Sequence, residues 1–135
     1  MGKNPTEVAL AFVGAINAGS VERLANLMTD EHTFVDSDGA EARGKLGMVP
    51  GWASYFALVP DYKITVKETF AAGRTVMLAG EAEGTFADGG SLKPENHWLV
   101  PAAWRAVVEG RQVALWQVYV NTEPISGILK RIRGG

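Results

Sequence analysis

At Tyr62 the spacing of apolar residues along this chain changes from three or four to two. Before that point Val8, Phe12, Val13 and Ile16 recur as they do along one helix face, and so do Val21, Leu24, Leu27 and Met28. A third helical stripe is Met48, Trp52, Tyr55, Phe56 and Val59. After Tyr62 the runs Tyr62-Ile64-Val66, Val76-Leu78-Gly80-Ala82 and Trp98-Val100-Ala102-Trp104 alternate as strands of a half-buried sheet do. A fourth run leads to Asn121. Helices first and a sheet of consecutive strands second is the pattern of an α+β fold.

The helix ends carry their own signals. Asn4 is a good N-cap, Pro5 suits the first helical position and Glu7 is the capping acid, while Asn17-Ala18-Gly19 ends the helix. Ser20 caps a second, shorter helix that Asp30 breaks. A short apolar strand, Thr33-Phe34-Val35-Asp36, and a polar loop follow. Pro50 marks the start of the third helix and Pro60-Asp61 its end. Its aromatic stripe has two readings, packing on the sheet or contact with a ligand.

Turns set the strand registers. Ala71-Ala72-Gly73 reads as a three-residue hairpin loop, which pairs Val66 with Leu78 and Tyr62 with Ala82. Glu109-Gly110 reads as a two-residue turn pairing Trp104 with Leu115, Ala102 with Gln117 and Trp98 with Asn121. Ala87 to Glu95 is a Gly-rich excursion. These registers gather the small residues Gly80, Ala82, Gly84 and Ala102 on one face with Trp98, Trp104, Gln117, Tyr119 and Asn121. Small residues remove volume, and amphipathic aromatics with a few amides line what remains, as in a ligand pocket. The other reading is that the glycines let the sheet bend and the aromatics fill the gap.

Asp36 shares a strand face with Phe34. An ionised carboxylate buried there without a partner is costly. Such a group is paired (Arg43 is the candidate), stands at the surface, or does chemistry. Glu81 and Glu83 alternate with the small residues and face away from the cavity. His97 belongs to that outer face too, His32 reads as a surface or capping residue before the strand, and Asp61 as a turn acid. Lys130, Arg131 and Arg133 read as a short, frayed basic tail.

The chain is 135 residues long with a net charge of −2, which gives one domain over residues 1–135 and no basic field for nucleic acid. It has no cysteine and two histidines, so disulfides and thiolate metal sites are excluded. No apolar run reaches the roughly 18 residues of a membrane span, and Met-Gly-Lys-Asn-Pro lacks the apolar core of a signal peptide. The expected location is the cytoplasm.

Two helices, a short strand, a third helix and a curved sheet resemble the nuclear transport factor 2-like cone fold. The segments Asn17-Ala18-Gly19-Ser20, Asp30-Glu31-His32-Thr33-Phe34-Val35-Asp36, Val59-Pro60-Asp61 and Trp116-Gln117-Val118-Tyr119-Val120-Asn121 place the resemblance nearest the SnoaL-like polyketide cyclase and ketosteroid isomerase branch. The resemblance implies a cone-shaped α+β barrel, with three N-terminal helices packed on a strongly curved antiparallel sheet. It also implies that Asp36 is the carboxylate that moves a proton beside a carbonyl. Phe12 and Ala102 stand where the isomerases keep their oxyanion-hole tyrosine and protonated aspartate. Neither donates a hydrogen bond, which disfavours steroid isomerisation by that mechanism. Ala82 stands where SnoaL-like relatives often have a histidine, and Asn121 where an acid commonly ends the Tyr-x-Asp run.

Three functions follow as expectations. One is an isomerase, cyclase or hydrolase without a cofactor, with Asp36 as general base and Tyr119, Asn121 or Trp98 donating to the oxyanion. Another is a binding domain with the same pocket, and the third a dimerisation module with a filled cone. The expected pocket comprises Trp52, Tyr55, Phe56, Trp98, Ala102, Trp104, Gln117, Tyr119 and Asn121, takes a small apolar or aromatic molecule and holds no metal. The outer face of the last two strands is expected to present Leu99, Pro101, Ala103, Trp116, Val118 and Val120. So large an apolar patch calls for a homodimer centred on Trp116.

Overall fold

The computed structural model describes residues 4–134; Met1 to Lys3, part of the N-terminus read above as lacking a signal sequence, lie outside it. Helix α1 (Pro5–Asn17) starts as its sequence dictates, with the Asn4 side chain accepting the Glu7 N–H at 2.9 Å. At its other end Asn17 donates to the Ile64 carbonyl at 2.9 Å and accepts the Ile64 N–H at 2.8 Å. One amide thus pins the end of α1 to the sheet. Ser20 caps α2 (Val21–Asn26), accepting from the Arg23 N–H at 3.1 Å.

Strand β1 (Met28–Val35) begins earlier than its apolar run, and Asp30 lies inside it rather than breaking a helix. A short strand unseen in the sequence, β2 (Glu41–Arg43), pairs antiparallel with β1. Helix α3 (Lys45–Leu58) starts ahead of Pro50, because the Gly47 and Met48 N–H groups already bond the Gly44 carbonyl. Strands β3 (Lys63–Ala72), β4 (Thr75–Asp88), β5 (Ser91–Glu109) and β6 (Gln112–Val120) follow, and helix α4 (Glu123–Ile132) ends the order. The Gly-rich excursion is the tip of a hairpin through Gly89-Gly90, both with positive φ.

The six strands form one curved, unclosed sheet in the order β2-β1-β6-β5-β4-β3. Every neighbouring pair is antiparallel except β1 and β6. The chain is therefore an α+β fold in the shape of an open cone; among the described residues it has the three expected N-terminal helices and a fourth at the other end. The fourth occupies the segment read as a frayed tail. Its apolar side, Ile125, Ile128, Leu129 and Ile132, packs against the core.

Bulges bend the strands and reset the registers. The β3–β4 hairpin turns at Gly73-Arg74, so Ala72 opposes Thr75, and Lys67 is then an extra residue that sets Ile64, in place of the expected Tyr62, opposite Ala82. The β5–β6 hairpin turns at Gly110-Arg111, with Glu109 opposite Gln112. There the extra residue is Ala114, and past it Ala106 opposes Trp116, Trp104 opposes Val118 and Ala102 opposes Val120. The inner face of β6 is therefore Trp116, Val118 and Val120. The outer face carries Gln117 and Tyr119.

That finding corrects the expected outer patch. Leu99, Pro101 and Ala103 do face outward, but Trp116 is 1% exposed and belongs to the core. A one-residue slip reverses every side chain of a strand, and the bulge at Ala114 supplies it. His32 is corrected as well. It is buried in β1 and lies against Phe12 at 5.7 Å between ring centres, with its Nδ1–H donating to the Val113 carbonyl at 2.6 Å. Burial lowers its affinity for a proton below the ordinary histidine value, partly opposed by that hydrogen bond.

Candidate functional site

The concave side of the sheet, α3 and α4 enclose a cavity of about 580 Å³. Helix α3 contributes Met48, Trp52 and Tyr55, and the β1 edge contributes Phe34 and Asp36. Alternation along the strands brings Ala82, Phe86, Trp98, Ala102 and Val118 to the same space. Ile125, Ser126 and Leu129 of α4 close one side. Arg131 fastens that helix by donating to the Glu95 carbonyl at 2.6 Å and to the Asn96 side chain at 3.3 Å.

Six rings run around the wall in contact with one another. Phe34 meets Trp52 at 6.2 Å, Trp52 meets Tyr55 at 6.2 Å, and Tyr55 meets Tyr62 at 5.0 Å between ring centres. Tyr62 then meets Trp98 at 6.0 Å, and Trp98 meets Phe86 at 6.1 Å. The first three contacts are edge-to-face, the preferred geometry for aromatic pairs.

Among the described residues, Asp36 is the one charged side chain of the lining. It stands exposed at the mouth, two residues beyond Phe34 on the same face, and accepts the Ser37 N–H at 2.7 Å. Arg43 does not reach it; that guanidinium lies 3.8 Å from Glu41. Burial, and then the Asp36 charge, push the Tyr55 hydroxyl well above the ordinary tyrosine range. Burial and then Tyr55 do the same to Tyr62. Both phenols therefore stay protonated and remain hydrogen-bond donors.

The residues expected to form the pocket divide. Trp52, Tyr55, Trp98 and Ala102 border the cavity. Phe56 packs behind Trp52 at 5.5 Å, and Trp104 lies deeper, fully buried at 6.5 Å from Trp116. Gln117 faces outward and accepts from Arg105 Nε at 3.1 Å, while Tyr119 is 44% exposed on the outer face. Asn121 lies past β6, where its side chain accepts the Glu123 N–H at 3.1 Å. All three are on the wrong side or beyond the sheet because the turn and bulge displace the β6 register.

Sequence reasoning missed Trp116, Val118 and Val120 for that same reason, and it missed the α4 residues altogether. The signal for α4 was present: Thr122-Glu123-Pro124 is a helix start, and Ile125, Ile128, Leu129 and Ile132 have helical spacing. Of the small residues, Ala82 and Ala102 border the cavity while Gly80 and Gly84 do not.

The outer-face residues hold one another. Asp61 accepts the Thr85 N–H and hydroxyl at 2.7 Å each, Thr85 meets His97 Nδ1 at 2.9 Å, and His97 Nε2 lies 3.3 Å from Glu83. This network ties the α3–β3 turn to the sheet. Among the described residues no group of three or more His, Cys, Asp or Glu is placed to hold a metal, and no helix is long and apolar enough to cross a membrane.

Residues 9–127 match the model of the SnoaL-like domain family. No curated protein matches the chain by sequence. Among solved structures, a candidate SnoaL-like polyketide cyclase from Shewanella denitrificans superposes with a TM-score of 0.80 at 12% identity, covering 94% of this chain and 97% of that one. A protein of ketosteroid isomerase-like fold from Catenulispora acidiphila, in complex with trimethylamine, gives 0.75 at 21% identity, covering 97% and 95%. An LEH-like epoxide hydrolase of M. tuberculosis gives 0.77 at 12% identity, covering 96% and 91%. At such identities the likeness is one of fold.

Proposed function

The chain belongs to the SnoaL-like domain family, and from that premise we propose that it binds a small apolar or aromatic molecule in the cavity beneath α3 and α4. The observation that carries this reading is the wall, a space of about 580 Å³ bordered by a belt of rings and by aliphatic side chains. Sites for small molecules have this size and composition. The trimethylamine complex of the Catenulispora protein supports the idea that this fold accepts small organic ligands. The reading needs no cofactor.

Ala82→Leu tests it. A leucine at this position on the cavity wall fills the space, so uptake of a neutral aromatic probe such as 2-naphthol should weaken about ten-fold or more. Tryptophan fluorescence is the readout. The melting temperature should change little, whereas overpacking a filled core costs about 1–3 kcal/mol. A large drop in melting temperature says that the space is packed and removes the binding reading.

A second reading is catalytic, with Asp36 as general base on a carbon acid or on water. It is favoured by the position of this single charge beside Tyr55, whose protonated hydroxyl, with that of Tyr62, supplies donors for a developing oxyanion. These two phenols take over the part expected of Tyr119 and Asn121. Isomerase, cyclase and hydrolase chemistry all fit a base and a donor in an apolar cavity, and structures of similar fold are described as a candidate cyclase and an epoxide hydrolase. Asp36→Asn should keep the fold and lose about 10²–10⁴ of turnover on a panel of apolar ketones and epoxides. Full activity in that variant moves the base elsewhere.

The homodimer is proposed on the outer sheet face, recentred on Leu99 and Tyr119, which are 50% and 44% exposed. Ala103, on β5, lies opposite Tyr119 on β6. Sedimentation should show a dimer for the wild-type chain and a monomer for Tyr119→Glu; a wild-type monomer at high concentration removes the proposal.

A further inference from the structure

We propose that the ligand of this cavity is an organic cation, an alkylated ammonium group carrying apolar substituents. The inference rests on the binding reading above and adds the charge and chemistry of the ligand.

Three observations converge on it. Among the described residues the lining contains one charge, and that charge is negative; none of its residues is a lysine, arginine or histidine. Two basic side chains that flank the lining in sequence are engaged elsewhere, Arg43 beside Glu41 and Arg131 on the Glu95 carbonyl and the Asn96 side chain. Second, the wall is a continuous belt of six rings from Phe34 to Phe86, including two tryptophans and two tyrosines. Aromatic rings attract cations through the negative potential over their faces, most strongly for tryptophan and for desolvated sites.

The third observation is what the wall lacks. A primary ammonium has three N–H donors to satisfy. The cavity offers few acceptors for them: the Asp36 carboxylate at the mouth and the hydroxyls of Thr122 and Ser126, with the two phenols. A quaternary or tertiary ammonium spreads its charge over methyl groups and asks for at most one hydrogen bond. It therefore loses little on entering such a wall. A carboxylate ligand would be stripped of water with no cation to meet it.

Asp36 sets the direction of the ligand. The carboxylate is exposed, so its attraction is moderate and sensitive to salt. The charged end then lies toward the mouth, between Asp36 and the Trp52–Tyr55 pair, with the apolar end inward against Ala82 and Ala102.

The test uses three probes of similar shape on the whole chain: benzyltrimethylammonium, its neutral isostere neopentylbenzene, and phenylacetate. Calorimetry and tryptophan fluorescence give the affinities. The cation is expected to bind about ten-fold tighter than the neutral isostere, with phenylacetate weakest. Raising the salt should narrow the ratio of cation to neutral affinity. Asp36→Asn should narrow it too, since the amide still accepts the Ser37 N–H and removes only the charge. Equal affinities, or a preference for neopentylbenzene, overturn the proposal and leave the apolar-ligand reading standing. A ratio unmoved by both salt and Asp36→Asn also overturns it. Binding of none of the three removes the proposal and the reading beneath it together.

Discussion

Replacing Trp116 with alanine should lower the unfolding free energy by about 3–5 kcal/mol, the range for deleting a large buried aromatic side chain. Trp116 is 1% exposed, packs at 4.8 Å from Phe12 and 6.5 Å from Trp104, and reaches the cavity from beneath. Its removal therefore joins a hole in the core to the cavity, and water has a route into both. A urea titration measures the loss directly. The reading of the chain without its bulge makes the opposite prediction, since an outward Trp116 would be a dimer anchor whose loss frees monomers but spares the fold. A Trp116→Ala protein that unfolds at the wild-type urea midpoint but sediments as a monomer would restore that reading and its register.

What separates the two outcomes is a single residue, Ala114. Alternation of apolar residues told correctly that Gln112 to Val120 is a strand, and the Gly110 signal told that a tight turn precedes it. Neither reports a bulge. Both Val113 and Trp116 are buried although they lie three apart, a spacing that two-residue alternation cannot produce. The β3–β4 hairpin repeats the lesson at Lys67. There the turn and the bulge together shift the partners of Ile64 and Val66 by two residues, which keeps the parity and so the face they occupy, and the expected core survives the changed register. Local signals fixed the starts of α1 and α2 well because caps are local chemistry: the side chains of Asn4 and Ser20 bond the backbone three residues on. Strand pairing depends on residues far apart in sequence, and irregularities are set there.

The site was legible in the same proportion. Asp36 beside Phe34, Trp52 and Tyr55 of α3, and Trp98 with Ala102 required only local periodicity, and the structure brings them to one cavity. Gln117, Tyr119 and Asn121 required the β6 register and fell outside. His32 reads as a surface or capping residue because the sequence places it in the turn before the strand. Its burial comes from Phe12 and Val113, both distant in the chain. The closing wall from α4 lies in the segment whose Lys130, Arg131 and Arg133 read as a basic tail, although Ile125, Ile128, Leu129 and Ile132 have helical spacing. A helix with polar residues outward and an apolar face inward is what a cover over an apolar space requires.

Gly80→Ala is expected to cost about 3 kcal/mol, at the upper end for overpacking, although it adds one methyl group. A Cβ built at Gly80 would lie 1.9 Å from the Thr65 carbonyl oxygen and 2.9 Å from its carbon. Both are backbone atoms of the neighbouring strand, held in the β3–β4 ladder just before the Lys67 bulge, and they cannot rotate away. Gly84 differs in kind, since a Cβ there would meet the Val59 side chain first, at 2.3 Å. The sequence suggested that both glycines hollow out the pocket. Gly80 instead lets two strands approach where the sheet bends, and the alanines at 82 and 102 provide the space. To admit the methyl group, β3 must draw away from β4 near Val66, carrying Ile64 with it and loosening the Asn17 clamp on Ile64. Tyr62, at the head of that strand, would then shift within the aromatic belt. Gly80→Ala should thus lose probe binding along with stability, while Ala82→Leu loses binding alone. Urea midpoints and the naphthol titration on the two variants separate these effects. A Gly80→Ala protein as stable as wild type would show that the strands stand further apart at this point and that the glycine serves only to save volume.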